Sequence, residues 1–178
     1  MIKTVILDVD GILTDGKKHY DENGKVIFKI FCDKDWTAIK RFRAIGINII
    51  FITGDPFNEA IIQNRNLPVI VCRRSGTHND KSHYLTTICA DYQCTPAEIC
   101  FVGDDIFDIQ LMRSVRHAFC PLDSPAIVQD NADILSCVGG DNVIMVLFDT
   151  LEQYGLIPTV PFEGIIDKIY ALDVAEKF

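Results

Sequence analysis

The chain has 178 residues, 48% apolar and 24% charged, enough to bury a core and too apolar to remain disordered. Its formal charge of -8 comes without a basic block, which argues against nucleic acid or an anionic membrane as a partner; a phosphate ligand would need local positive potential from a metal, a lysine or helix N-termini. With no Pro/Gly/Ser-rich linker, residues 1–178 are expected to form a single domain.

The first apolar run, Val5 to Val9, follows Met1-Ile2-Lys3-Thr4 without the pattern of a secretory leader. Lys18 to Phe31 has strand-like flanks around Asp21-Glu22-Asn23-Gly24 and reads as a β-hairpin (18–31) inserted after the first strand. A helix is expected from about Trp36 to Ala44, with Asp35 as its cap, and a second from Asp55-Pro56 onward. Apolar runs at Ile47 to Ile52, Pro68 to Val71, Ile99 to Val102 and Ala118 to Cys120 are continuous rather than alternating, the pattern of strands covered on both faces. Further helices are expected over Lys81 to Tyr92, Phe107 to Ser114 and Asn142 to Tyr154, and Thr95-Pro96-Ala97-Glu98 is a capping-box pattern. The tail, 158–178, is expected to end in a helix packed on this subunit or on a neighbour. This alternation predicts an α/β fold, a Rossmann-like parallel sheet with helices on both faces. The seven cysteines, odd in number and without a CxxC pair, read as reduced thiols. No apolar run approaches the ~20 residues of a membrane span, so a reducing cytoplasm is the expected location.

Ligands of open parallel sheets bind beyond the carboxyl ends of the strands, so the polar residues there carry the functional signal. They are Asp8-Val9-Asp10-Gly11, Thr53-Gly54-Asp55, Gly103-Asp104-Asp105 with Asp108, and Lys81 at a helix start. Taken singly, most have a plain structural reading. DxD and Thr-Gly make turns, Asp55 caps a helix before Pro56, Lys81 is solvated, the pair Arg73-Arg74 follows a strand and either approaches the site entrance or is solvated, and His78 sits in a loop. Asp104, Asp105 and Asp108 are harder to place this way, because carboxylates crowded at a helix start repel one another unless a cation neutralises them.

In this order the four segments resemble the motifs of the haloacid dehalogenase superfamily of phosphotransferases: DxDG, a Thr after an apolar strand, a lysine, and GDDxxD. The resemblance covers at least Ile2 to Cys137. It implies a phosphatase with Mg2+ as cofactor, held by the Asp8 carboxylate, the Asp10 backbone carbonyl and the Asp104 carboxylate. Asp8 would attack phosphorus to form an aspartyl-phosphate, and Asp10 would protonate the leaving group and then activate water. Thr53 would hydrogen-bond a phosphoryl oxygen and Lys81 would offset the shared charge, while Asp105 and Asp108 would position metal-bound water and Lys81. The spacing between motifs leaves no room for a cap domain.

Leu7 to Gly16, with the hairpin after it, resembles the 3-deoxy-octulosonate 8-phosphate phosphatases and the related nonulosonate 9-phosphate phosphatases. That implies a small-molecule sugar phosphate as substrate and a homotetramer joined through the hairpins, neighbours completing each site. Three segments depart from the octulosonate pattern. The Arg after the second motif is Asp55 here, DGxGI becomes Asp35-Trp36-Thr37-Ala38-Ile39, and GGxGAVRE becomes Gly139-Gly140-Asp141-Asn142-Val143 with no Arg nearby. Asp55 suits hydroxyl or amine donors better than a sugar-acid carboxylate, and Gly54, Asp55 and His78 are the candidate substrate contacts. Two other readings compete. A two-component receiver domain also phosphorylates an Asp, but there the double acid precedes the phosphoacceptor. A non-catalytic oligomerisation module associated with sugar-nucleotide synthesis would not need the full set Asp8, Asp10, Thr53, Lys81 and Asp104.

Overall fold

The computed structural model describes residues 1–74 and 76–176 of the chain. Strand β1 (Thr4–Leu7) is followed by the hairpin β2 (His19–Tyr20) and β3 (Val26–Phe28), then helix α1 (Asp33–Ala44), β4 (Asn48–Thr53), α2 (Phe57–Gln63) and β5 (Val69–Val71). A second, smaller hairpin, β6 (Arg73–Arg74) and β7 (Thr77–His78), precedes a 3-10 turn at Lys81–Tyr84 and α3 (Leu85–Asp91). After β8 (Ile99–Val102) come α4 (Ile109–Ser114), β9 (His117–Cys120), α5 (Ala126–Gln129), β10 (Asp133–Ile134), α6 (Val143–Gln153) and α7 (Phe162–Val174).

Six strands build one parallel sheet in the order β10-β9-β8-β1-β4-β5. The chain moves outward from β1 through β4 and β5, then returns to the other side of β1 with β8. That reversal opens a crevice at the carboxyl ends of β1, β4 and β8, where such sheets bind ligands.

The continuous apolar runs are explained by burial on both faces. Val5 and Leu7 of β1 join Phe51, Phe42 and Leu147 in one core between the sheet and α1 and α6. Ile6, between them, points the other way and packs with Ile50, Phe101, Leu111 and Ile88. Each strand thus spends its even and odd positions on different layers of helices, and a polar residue at either would face a dry interior. No cap domain interrupts the sheet, and the fold is the Rossmann-like α/β architecture expected from the sequence.

Two details differ from the sequence expectation, and the tail takes one of its two expected placements. Asp35 does not cap the helix it was expected to open, because α1 begins two residues earlier, at Asp33. Its buried carboxylate instead accepts the backbone N–H groups of Ile144 at 2.8 Å and Met145 at 3.3 Å, closing the N-terminus of α6. The sixth strand, β10, and the β6–β7 pair were not foreseen, being two residues each and exposed, with no apolar run to mark them. The tail helix α7 lies on its own subunit. Asp173 pairs with Lys40 of α1, and the Ala175 carbonyl accepts Asn66 Nδ2 at 2.6 Å.

Candidate active site

The DxDG segment leaves β1 still tied to the sheet: the Asp8 N–H donates to the Val102 carbonyl at 3.0 Å. The backbone then winds tightly, with the N–H groups of Leu13 and Thr14 both directed to the Val9 carbonyl. Gly11 sits in this turn at φ 77°, and a Cβ there would lie 1.9 Å from Asp104 Oδ2. The glycine of DxDG is therefore required twice, for its left-handed backbone and for the approach of the Asp104 carboxylate. Gly139 and Gly140 press on the same turn from outside, the Gly140 N–H donating to the Ile12 carbonyl at 3.0 Å.

The four sequence segments converge. Asp8, Asp10, Thr53, Gly54, Asp55, His78, Lys81, Asp104 and Asp105 all line one cavity of about 310 Å³ at the carboxyl ends of the strands. The Asp8 carboxylate is buried and fixed at both oxygens, Oδ1 accepting the Val9 N–H at 2.7 Å and Oδ2 facing Lys81 Nζ at 2.7 Å. Lys81 also reaches Asp108 Oδ1 at 2.5 Å. Despite burial, the two carboxylates hold the ammonium above the ordinary lysine value, so it stays charged.

Asp108 is fully engaged, because its other oxygen accepts the N–H groups of Asp104 at 2.9 Å and Asp105 at 3.0 Å. The exposed Asp105 carboxylate accepts the Ile106 N–H at 2.5 Å and caps the 3-10 turn that follows. Thr53 ends β4 with its hydroxyl oxygen accepting Asn58 Nδ2 at 2.9 Å and the Asp55 N–H at 3.2 Å. With both lone pairs used, the O–H is left to donate into the cavity.

Carboxylate oxygens of Asp8, Asp104 and Asp108 lie within 4.8 Å of one another. Burial pushes the Asp8 carboxyl up to about 7, with Lys81 opposing and Asp108 adding to the rise. Burial, then the Asp8 and Asp108 charges, push Asp104 up to about 8. One lysine does not neutralise this cluster. The surplus negative charge and the all-oxygen donor set of Asp8, Asp104 and Asp108 suit a hard divalent cation.

Several site residues were missed from the sequence. Lys29, whose side chain is 0% exposed, bonds Asp10 Oδ1 at 2.6 Å, Asp55 Oδ2 at 2.8 Å and Asn58 Oδ1 at 2.8 Å. Its one available signal was a lysine set in the apolar run Val26-Ile27-Phe28-Lys29-Ile30-Phe31. Asn58 holds Asp10 Oδ2 at 3.1 Å and follows no motif. Lys18 meets Asp55 Oδ2 at 2.7 Å.

Asp55 therefore does not stand as the open acidic contact that its identity suggested. Burial disfavours its charge, yet bonds from Lys18, Lys29 and the Phe57 N–H outweigh this and hold the carboxyl well below the usual range. The Phe57 N–H bond, at 3.0 Å, is the expected cap of α2, so both readings of Asp55 meet in one side chain. His78 lies edge-on to Phe107, ring centroids 5.1 Å apart.

A buried carboxylate paired with a lysine, a threonine hydroxyl and a crowded acid cluster, all beyond the ends of parallel strands, form a site of the haloacid dehalogenase type. No family model matches the chain. It is 31% identical over 162 residues to the 3-deoxy-D-manno-octulosonate 8-phosphate phosphatase of Haemophilus influenzae, covering 85% of this chain and 83% of that protein. The cobalt-bound structure of an H. influenzae phosphatase of this name superposes with a TM-score of 0.76 at 28% identity, over 86% of this chain and 90% of the other. The same fold recurs, at 19% identity and a TM-score of 0.74, in the Moraxella catarrhalis enzyme in complex with magnesium, phosphate and its sugar acid; 97% of this chain and 92% of the other are covered. The chain belongs to this capless family of haloacid dehalogenase phosphatases and is a phosphoric monoester hydrolase.

Proposed function

We propose that the chain, acting as one domain, hydrolyses a sugar-acid phosphate monoester of the octulosonate 8-phosphate or nonulosonate 9-phosphate class, through an aspartyl-phosphate on Asp8 and with Mg2+ as cofactor. The clamped Asp8 carboxylate carries this reading. Held between the Val9 N–H and Lys81 at the cavity floor, it is aimed before substrate arrives, so little reorganisation precedes attack.

The Asp8 carboxylate, the Asp10 backbone carbonyl and the Asp104 carboxylate would hold a divalent cation, which would supply the positive charge that lets an anionic nucleophile meet a phosphate dianion. The protein's own groups do the rest. Asp8 forms the bond to phosphorus and the ester oxygen leaves with a proton from Asp10; Asp10 then takes a proton from the water that cleaves the acyl-phosphate. Lys29, Thr14 and Asn58 fix the Asp10 carboxylate for both transfers. Thr53 donates to a phosphoryl oxygen, Lys81 shares the charge of Asp8 and the phosphate, and Asp108 positions Lys81. Asp105 would orient water beside the cation site.

A homotetramer joined through the β2–β3 hairpin fits the exposure of Tyr20, Ile27, Phe28 and Ile30, apolar area that a second copy would cover. Unpaired thiols at all seven cysteines suit a cytoplasmic location. Among the described residues no helix is long and apolar enough to cross a membrane.

The test is phosphate release with Mg2+ from a panel of octulosonate 8-phosphate, nonulosonate 9-phosphates and uncharged sugar phosphates. Release from a sugar-acid ester, lost in Asp8→Asn and in EDTA, is the expected result. No release from any ester would favour the oligomerisation module instead.

A further inference from the structure

Four cationic side chains belong to this cavity or border it, and three are already matched. Lys81 is paired with Asp8 and Asp108, Lys29 with Asp10 and Asp55, and Lys18 with Asp55. Arg73 lines the same cavity and, among the described residues, has no carboxylate partner. Its Nε–H donates to the Gly54 carbonyl at 3.2 Å, which anchors the guanidinium beside the Thr53-Gly54 turn. That single bond leaves the two terminal amino groups, the planar fork that takes a carboxylate in bidentate fashion.

The β6–β7 pair builds this wall. Arg73 is the cross-strand partner of His78, and His78 rests edge-on against Phe107, so a cation, an imidazole and an aromatic ring line one side of the cavity. The remaining charges make a dedicated cation necessary for a substrate with a second anionic group. The phosphate falls to Lys81, Thr53 and the Asp8–Asp104 end, and the charges of Lys18 and Lys29 are spent on Asp55 and Asp10. A carboxylate elsewhere on the substrate would otherwise enter a cavity lined by Asp8, Asp10, Asp55, Asp104 and Asp105.

We infer that Arg73 is a specificity-determining residue that binds the substrate's carboxylate, with His78 and Phe107 beside it, and so selects sugar-acid phosphates over uncharged sugar phosphates. The inference rests on the phosphatase reading given above. It also removes the objection posed by Asp55, whose charge the two lysines balance while the recognising cation arrives from a different segment.

The experiment is steady-state kinetics of the full chain and of Arg73→Gln and Arg73→Lys, on octulosonate 8-phosphate, a nonulosonate 9-phosphate and glucose 6-phosphate. Arg73 is exposed, so neither substitution threatens the fold. For the better sugar-acid substrate, Arg73→Gln is expected to raise KM about tenfold or more with a much smaller change in kcat, a loss of the size that one charged hydrogen-bonding partner supplies. The ratio of kcat/KM for the sugar acid over glucose 6-phosphate should fall by a similar factor. Arg73→Lys, which keeps the charge and loses the fork, should fall between the two.

Equal losses on the acidic and uncharged esters would make Arg73 a phosphate ligand and overturn the inference. An unchanged KM for the sugar acid would overturn it as well, while leaving the phosphatase reading intact. A wild-type chain that hydrolyses only uncharged esters, or none, would sink the substrate assignment and this inference together.

Discussion

Lys81→Met tests how the site balances its charge. The substitution keeps a similar apolar stem but leaves Asp8, Asp104 and Asp108 within 4.8 Å of one another with no ammonium among them. Breaking a buried ion pair by removing one partner costs about 3–5 kcal/mol, and protonation of the carboxylates limits the loss to the lower end of that range. About 3 kcal/mol in a chain of this size lowers Tm by roughly 6–12 °C.

The loss should depend on pH. Burial already lifts the folded-state Asp8 carboxyl above its ordinary 3.8, to about 7, and Lys81, with the Val9 N–H, keeps it from rising further. Without Lys81 it rises further, and a carboxyl raised on folding destabilises the fold as pH climbs through the interval between its unfolded and folded values. The deficit should therefore be larger at pH 8 than at pH 6. Thermal unfolding in EDTA at both values measures it, and phosphate release with Mg2+ should fall about 100-fold or more, the scale of a lost transition-state charge partner. A variant with unchanged Tm at both pH values and near-normal turnover would refute the charge balance described here.

Two further perturbations bear on the scaffold. Burial pushes the Asp35 carboxyl up to about 6 from 3.8, the N–H groups of α6 opposing, and its Oδ2 is buried without a hydrogen-bond partner among the described residues. The folded state then holds the extra proton between those values, so the Asp35 contribution to stability falls as pH rises through that window, by about 3 kcal/mol, and is flat above it. Asp8 and Asp104, raised in the same sense, add a slope common to wild type and variant, so urea unfolding between pH 4 and 7 should show a shallower slope in Asp35→Asn than in the wild type; parallel slopes would contradict it. Gly139→Ala would place a Cβ 2.3 Å from the Gly11 carbonyl oxygen, a backbone atom that cannot yield without moving the turn carrying Asp8 and Asp10. It should cost about 1–3 kcal/mol by denaturant unfolding and reduce turnover with it. Full stability and activity in that variant would show that the turn is not braced from this side.

The sheet was legible because each of its five longer strands carries a continuous apolar run, and only a strand buried on both faces needs one. The candidate site was legible for a related reason. In a parallel sheet the strand ends converge, so Asp8, Thr53 and Asp104 could be placed together from sequence position alone. What the sequence did not disclose are partnerships across long separations. Lys29 reaches Asp10 and Asp55 from the hairpin, and Asp35 serves a helix more than 100 residues away. Nothing in the sequence assigned Arg73 to the cavity rather than to solvent, because the two-residue strand that turns it toward the cavity carries no periodic signal. Asp55 shows the limit most plainly. Its identity predicted an acidic wall, and its neighbours Lys18 and Lys29 cancel the charge.

Phosphate is proposed to pass through Asp8. Acid-quenching the enzyme during turnover of its best sugar-acid phosphate, followed by peptide mass spectrometry, tests it most directly. The expected result is a phosphorylated N-terminal peptide bearing the group on Asp8, labile to hydroxylamine and absent from Asp8→Asn. Undiminished turnover by Asp8→Asn, or a phosphoryl group trapped on any other residue, would contradict the account.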